Sequence, residues 1–261
     1  MSTMISIESP PGFVVREEAH KAAYENGFRV EAGAKDGWIG YRSSTAHGEI
    51  WIARAALNGD WLLSISHTGV AAEFDLPRMD SPLGPWFAMY AFGTLGELYG
   101  ALDRVYKLGV SLPDAPLDAF RKATAHLPQT TEAGRLTVVR VGQSLFRQAL
   151  LEYWNGRCPL TGITDPALLR ASHIVPWAEC ESDALRLDVH NGLLLSALWD
   201  AAFDAGLISF ADDGTVLRSA ELTAEAAAAL NLDSAAPLAP LTNLHRRNLA
   251  RHRAQHGLDQ P

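Results

Sequence analysis

The spacing of apolar residues changes character several times along the chain. Val14 to Phe28 reads as a helix. It is followed by three aromatic and β-branched pieces, Trp38-Ile39-Gly40-Tyr41, Glu49-Ile50-Trp51-Ile52 and Trp61-Leu62-Leu63-Ser64-Ile65, separated by Gly, Asn and Asp turn signals. Such pieces predict an antiparallel sheet. Between Thr94 and Leu108 the apolar residues Leu95, Leu98, Leu102, Val105 and Leu108 fall at three- and four-residue steps, which predicts a helix stopped by Gly109. Pro113 and Pro116 then punctuate a second short helix near Leu117 to Ala125.

The run from Leu127 to Gly134 is polar and rich in turn residues, so it is the expected domain boundary. The expected layout is a domain at 1–126, a linker at 127–134 and a second domain at 135–261. In the latter, Leu136 to Val141 reads as a strand and Ser144 to Trp154 as a helix. Leu168 to Val175 reads as a strand, 176–190 as a long loop and Gly192 to Leu195 as a second strand. Ser196 is a candidate N-cap for a helix ending at Gly206, whose missing Cβ suits the left-handed position after a helix. Leu207 to Leu217 predicts a hairpin around an Asp-Gly turn. The pattern as a whole is α+β.

Composition narrows the function classes. No apolar run reaches the eighteen or so residues of a membrane span, and the N-terminal Met1-Ser2-Thr3-Met4 lacks the pattern of an export signal, so a cytoplasmic location is expected. Two cysteines, Cys158 and Cys180, cannot build a multi-bridge scaffold or a four-thiolate zinc site. A formal net charge of −8 argues against a nonspecific polycation, yet residues 244–256 hold Arg246, Arg247, Arg251 and Arg253 with no carboxylate. That segment is either a solvated terminal helix or a basic face for phosphates.

One constellation carries chemistry: His173 on the first strand, Asn191 opening the second, and Asp200 and Asp204 on the helix that follows. The two carboxylates are four residues apart and so share a helix face, where a hard cation such as Mg²⁺ or Mn²⁺ would relieve their repulsion. A neutral imidazole at His173 would accept a proton from water near neutral pH, giving a general base beside a Lewis acid. Each residue also has a structural reading: a core histidine, a turn asparagine before Gly192, a helix-capping aspartate. Trp199, Phe203 and Leu207 read as core, Cys180 as an ordinary thiol and His190 as an exposed loop histidine or a phosphate contact.

Cys158-Pro159-Leu160-Thr161-Gly162, Leu168-Leu169-Arg170-Ala171-Ser172-His173-Ile174-Val175-Pro176-Trp177, Asn191-Gly192-Leu193-Leu194-Leu195 and Asp200-Ala201-Ala202-Phe203-Asp204-Ala205-Gly206-Leu207-Ile208 together resemble the HNH, or ββα-metal, endonucleases over about residues 140–225. The likeness is to the subgroup with an Ala-Ser-His-Ile-x-Pro-Trp first motif and Asp in place of the last motif His. It implies a ββα-metal nuclease domain with flanking helices. His173 would be the general base, Asn191 would steady the base and its loop, and Asp200 and Asp204 would be metal ligands. Many relatives carry Asp directly before the base, where this chain has Ser172, a poor ligand. Many carry His where this chain has Asp200, which shifts preference toward oxygen-loving Mg²⁺ or Mn²⁺. Cys158 lacks the second thiol of a zinc knuckle.

The resemblance implies hydrolysis of double-stranded DNA, with restriction or phage defence as the setting and a homodimer as the means of cutting both strands. A nuclease of this size relies on attached elements for target choice, which assigns specificity to the first domain. Its Trp38, Trp51, Trp61 and Trp86, with Tyr41, Phe74, Phe87, Tyr90 and Phe92, either stack on a modified base or build a sheet core. By analogy with modification-dependent restriction enzymes, the DNA could bear modified bases. The rival readings are a non-catalytic DNA-binding module, suggested by Ser172, and a toxin-like or RNA-directed nuclease.

Overall fold

The computed structural model describes residues 6–57, 59–74, 76–79, 85–86, 88–128 and 131–258. Met1 to Met4, Phe87 and Gln129–Thr130, used in the sequence reading, lie outside them. The fold is α+β, and the chain divides into two compact units, Met1–Ala115 and Pro116–Pro261. No described helix is long and apolar enough to cross a membrane.

The first unit is built on an antiparallel sheet whose spatial order follows the sequence: β1 (Val30–Lys35), β2 (Trp38–Arg42), β3 (Glu49–Arg54), β4 (Trp61–Ile65) and β5 (Ala88–Phe92). Every residue of β4 is buried, so both faces of the sheet are covered there. On one face Trp38, Ala53, Leu62 and Met89 cluster under Ile7, Trp51 and Met79. Helices α1 (Phe13–Glu25), α2 (Thr68–Glu73) and α3 (Leu95–Ser111) also pack on the strands. β1 and β5 have no counterpart in the sequence reading. β1 is an exposed edge whose sequence, Val-Glu-Ala-Gly-Ala-Lys, has no apolar alternation.

Helix α3 opens with a reciprocal capping box between Thr94 and Glu97. It does not stop at Gly109 but continues to Ser111. The glycine serves packing instead: a Cβ there would lie 3.1 Å from Ala46 Cβ and 3.2 Å from the His47 carbonyl oxygen. Its place is set by a close approach of backbone, which a period-based reading cannot distinguish from a stop.

The division between the units falls inside α4 (Asp114–Thr124), earlier than the expected boundary at 127–134. The polar stretch joins two helices of the second unit, and Glu132–Gly134 already belong to α5 (Glu132–Tyr153). The expected strand Leu136 to Val141 is therefore corrected to helix. Thr131 caps the Gly134 amide and Thr137 bonds back to the Ala133 carbonyl, so the β-branched run begins inside an established turn. Helix propensities differ by only about 0.7 kcal/mol per ordinary residue, and each further residue adds a hydrogen bond once the nucleus exists. Buried Phe146, Leu150 and Tyr153 anchor the far end.

β6 (Leu169–His173) pairs antiparallel with β7 (Gly192–Ser196), placing His173 opposite Gly192 and Ser172 opposite Leu193. Between them lie a 3-10 turn at Trp177–Glu179, the one-turn helix α6 (Asp183–Arg186) and a second 3-10 turn at Val189–Asn191. Ser196 ends β7 and leads directly into α7 (Ala197–Asp204), giving a ββα unit; Ser196 holds the N-cap position without a side-chain cap. Gly206 takes the left-handed conformation after α7, at φ +67°. The hairpin of β8 (Ile208–Phe210) and β9 (Val216–Arg218) forms as expected, its turn closed by the Gly214 amide donating to the Ala211 carbonyl, with Gly214 at φ +88°. Helices α8 (Ala224–Leu230) and α9 (Asn243–His256) complete the unit.

Gly192 sets how near α5 comes to this pair of strands. A Cβ at that position would lie 2.5 Å from Phe146 Cζ and 2.9 Å from Leu150 Cδ1. Gly192→Ala should therefore destabilise the protein by about 1–3 kcal/mol, the scale of core overpacking. Urea denaturation measures this, and an unchanged midpoint would show that Phe146 yields freely.

Candidate active site

Ser172 and the last residue of β6, His173, contact different helices. Ser172 faces α7, where its Oγ donates to Asp204 Oδ1 at 3.3 Å. His173 faces α5, stacked on Phe146 with ring centroids 3.8 Å apart and planes 17° apart; Trp177 meets it edge-on at 5.5 Å. Its Nε2 lies 2.9 Å from the Arg186 carbonyl oxygen. A carbonyl only accepts, so Nε2 carries the proton and Nδ1 keeps its lone pair. Burial lowers the His173 pKa below its ordinary value of 6.5, partly opposed by the Arg186 carbonyl. The ring is a neutral base of fixed tautomer.

Two residues hold the loop that supplies this carbonyl. Asn191 is fully buried; its Oδ1 accepts from the Val175 amide at 2.8 Å and its Nδ2 donates to the Val175 and Leu185 carbonyls at 3.1 and 3.3 Å. It makes no hydrogen bond to His173 and acts on the surrounding backbone. Arg186 reaches the carbonyls of Trp177 and Cys180 and the Asp183 carboxylate, closing the same loop from the other end. Cys180 is buried, with its pKa raised by that burial.

Asp200 and Asp204 project from one face of α7. Partial burial raises the pKa of both, and the Asp204 charge raises Asp200 further, against the lowering effects of Ser172 and Arg170. Such a pair is poised for a cation, since a positive ion removes the cost of keeping both ionised. The donor set, two carboxylates with a serine hydroxyl beside them, fits a hard oxygen-seeking ion and offers no soft ligand. The structure thus assembles Ser172, Asp200 and Asp204, with His173 one residue along the strand and Asn191 behind the loop.

The C-terminal helix is less of an appendage than its charge suggests. His245, Asn248, Leu249 and His252 are buried. Asn248 donates to the His190 carbonyl, and His252 stacks on Phe203 at 3.9 Å while bridging Ser209 and the Phe203 carbonyl. Desolvation pushes the His252 pKa down to about 4. Arg246 bonds the Asp212 carbonyl, and Arg253 the Phe210 carbonyl and the Asp212 carboxylate. Arg247 and Arg251 are exposed, four residues apart on the outer face. His190 is not the exposed loop histidine expected: it is buried, held by Asp188 at 2.6 Å and set edge-on against Tyr153 and His245.

In the first unit Trp38, Trp61, Tyr41, Phe74, Tyr90 and Phe92 are core residues, whereas Trp51 is half-buried and Trp86 exposed. Sequence reasoning missed Arg170, Phe146 and Arg186. The Arg186 contribution is a backbone carbonyl, which leaves no trace in residue identity. It also missed a group of three metal-ligand side chains, His47, His67 and Asp114, the one such group among the described residues.

A comparison with curated proteins finds no match. Residues 158–211, a span that begins at Cys158 and contains His173, Asn191, Asp200 and Asp204, match a family model described as HNH endonuclease.

Proposed function

We propose that this chain is a metal-dependent endonuclease that hydrolyses phosphodiester bonds of double-stranded DNA. The observation that carries this reading is the neutral, tautomer-fixed His173 placed one residue from the Ser172–Asp204 contact and held by the Asn191 loop. Asp200 and Asp204 would hold a divalent ion, Mg²⁺ or Mn²⁺ by their chemistry. When bound, such an ion supplies charge neutralisation and Lewis acidity at the phosphate. His173 Nδ1 takes a proton from the attacking water, and the Arg186 carbonyl steadies the imidazolium that results by accepting its Nε2–H. Phe146 fixes the ring plane, and Asn191 and Arg186 keep the carbonyl in place. Exposed Arg247 and Arg251 supply salt-sensitive phosphate contacts that do not read sequence.

The wider reading remains that of the subgroup with Ala-Ser-His-Ile-x-Pro-Trp and Asp in the last ligand position. A cytoplasmic restriction or phage-defence enzyme, acting as a homodimer and selecting DNA through its first unit, fits that reading. Of the first-unit aromatics singled out in the sequence, base stacking would fall to Trp86 and Trp51, because Trp38, Tyr41, Trp61, Phe74, Tyr90 and Phe92 are core residues. Incubation with unmodified, methylated, hydroxymethylated and glucosylated DNA, and with RNA, in Mg²⁺ and in Mn²⁺ tests the reaction and the target class together. Preferential RNA cleavage would favour the RNA-directed alternative, and binding without cleavage in any metal would favour a non-catalytic module.

His173→Ala should lower cleavage by at least about a hundredfold, the usual scale for a general base, with binding of DNA retained. Single-turnover cleavage and gel-shift measurements check the two parts.

The depressed pKa of His173 keeps its base form populated below the ordinary histidine value of 6.5. The acidic limb of kcat/KM at saturating metal should therefore fall below that pH. A limb at or above 6.5 would place the base elsewhere.

For the carboxylates the sign is opposite. A raised folded-state pKa stabilises the protonated form, so each contribution is present at low pH and lost as pH rises through the folded value. Asp200→Asn should thus raise thermal stability at neutral pH in chelator while abolishing metal-dependent cleavage. Calorimetry with and without divalent ion tests both effects.

A further inference from the structure

In the first unit, three residues distant in sequence bring ligand atoms to one point. His47 lies in the β2–β3 loop, His67 caps α2 and Asp114 opens α4. His47 Nδ1 is 2.9 Å and His67 Nε2 2.8 Å from the same oxygen, Asp114 Oδ2, and all three ligand atoms lie within 4.8 Å of one another.

Backbone contacts independent of the imidazoles hold these positions. The His47 amide donates to the Gly109 carbonyl, and Ser43 Oγ accepts from the Thr45 and Ala46 amides. Thr45 Oγ1 meets Tyr106 Oη at 2.9 Å. The Glu49 amide donates to Ser66 Oγ at 2.7 Å, and the Ser66 amide returns to the Glu49 carbonyl. Gly48, at φ +90°, lets the loop lie against His67: a Cβ there would be 2.8 Å from His67 Cβ. Gly109 likewise leaves room for the backbone at 46–47. The scaffold fixes the backbone that carries both imidazoles independently of the carboxylate, which is how a preformed ligand site is built.

We propose that His47, His67 and Asp114 bind a zinc-class divalent transition-metal ion. Two imidazoles and one carboxylate are the donor set of an open tetrahedral site, with water as the fourth ligand. A tetrahedral ion at about 2.0–2.1 Å keeps its ligands roughly 3.3 Å apart, so admitting it needs small outward shifts from the present separations. Side-chain exposures of 34% for His47 and 47% for Asp114 leave a solvent path, while His67 at 16% is the sheltered ligand. Burial raises the Asp114 pKa, but hydrogen bonds from His67 and then His47 hold it below the ordinary carboxylate value.

The metal-free hydrogen bonds define what loading must change. His67 Nδ1 accepts the Val70 amide at 3.1 Å, so its proton sits on Nε2 and is given to Asp114. Coordination through Nε2 moves that proton to Nδ1 and releases the Val70 amide. The ion would then tie the β2–β3 loop to the starts of α2 and α4 in place of two hydrogen bonds.

The test uses the full chain carrying Asp200→Ala and Asp204→Ala, so that the acidic pair of the other unit does not contribute and the outcome is independent of the nuclease reading. Cobalt(II) titration should give the visible absorption of a tetrahedral site at one ion per chain, and zinc should raise the thermal midpoint. Val70 amide exchange should quicken on loading. His47→Gln, which keeps a hydrogen-bond donor for Asp114, should remain folded and lose both the absorption and the zinc-induced rise. Absence of tetrahedral cobalt absorption in the parent, or absorption and stabilisation unchanged in His47→Gln and Asp114→Asn, would overturn the proposal and leave the cluster as a hydrogen-bonded strut.

Discussion

The approach of α5 to the β6–β7 pair is the constraint on which the candidate site depends. Gly192 stands opposite His173 across the ladder, and its missing side chain is the space Phe146 occupies. Because Phe146 lies that close, its ring stacks on the imidazole and removes water from one face, which keeps His173 neutral. On the ring's edge the Arg186 carbonyl selects the tautomer. Packing favours the neutral imidazole, and a backbone hydrogen bond decides which nitrogen is free. Gly142 extends the same arrangement: a Cβ there would sit 2.4 Å from Trp177 Cη2, so a second small residue on α5 admits the ring that meets His173 edge-on.

The second unit was legible where its chemistry is local. His173, Asn191, Asp200 and Asp204 lie within one continuous ββα segment, so a strand period, a turn and a four-residue helical step were enough to place them. The sheet of the first unit was legible at β2, β3 and β4, where aromatic and β-branched residues cluster. It was not legible at β1, an edge strand of mostly exposed residues that pairs through backbone groups alone, with a register shift between Glu31 and Gly33. Leu136 to Val141 misled for the converse reason: its valines favour a strand locally, but Thr131 starts a helix before them and Phe146 and Leu150 fix it after them. Gly109 shows the remaining ambiguity, because a glycine can end a helix or admit a neighbouring backbone, and composition does not say which.

The sites that escaped the sequence are assembled over long separations. His47, His67 and Asp114 have no spacing signature, since their meeting requires the β2–β3 loop, the start of α2 and the start of α4 to be folded first. The role of Arg186 was hidden differently. Its functional atom is a carbonyl oxygen that every residue possesses, and only the fold at Asp183–Arg186 aims it. The C-terminal arginines divide on the same principle: helical period alone makes them one basic set, but packing of His245, Leu249 and His252 orients the helix so that Arg246 and Arg253 are spent on the Asp212 turn.

An acidic chain that is to meet a polyanion faces a conflict, sharpest at Asp200 and Asp204, where burial and mutual repulsion already disfavour ionisation. Desolvation by an approaching phosphate would raise both pKa values further, so protein and nucleic acid would oppose each other at the point where contact matters most. Arg170, whose charge favours ionised Asp200, reduces this cost without removing it. A divalent ion held there, as proposed, would neutralise the two carboxylates and, together with the Arg170 charge, leave net attraction for phosphate. Ser172 suits that arrangement better than a third carboxylate would: its hydroxyl donates to Asp204 when no cation is near and adds no negative charge when the phosphate arrives. On the proposed reading, a serine at this position would give up one ligand and also lessen the repulsion the site must overcome.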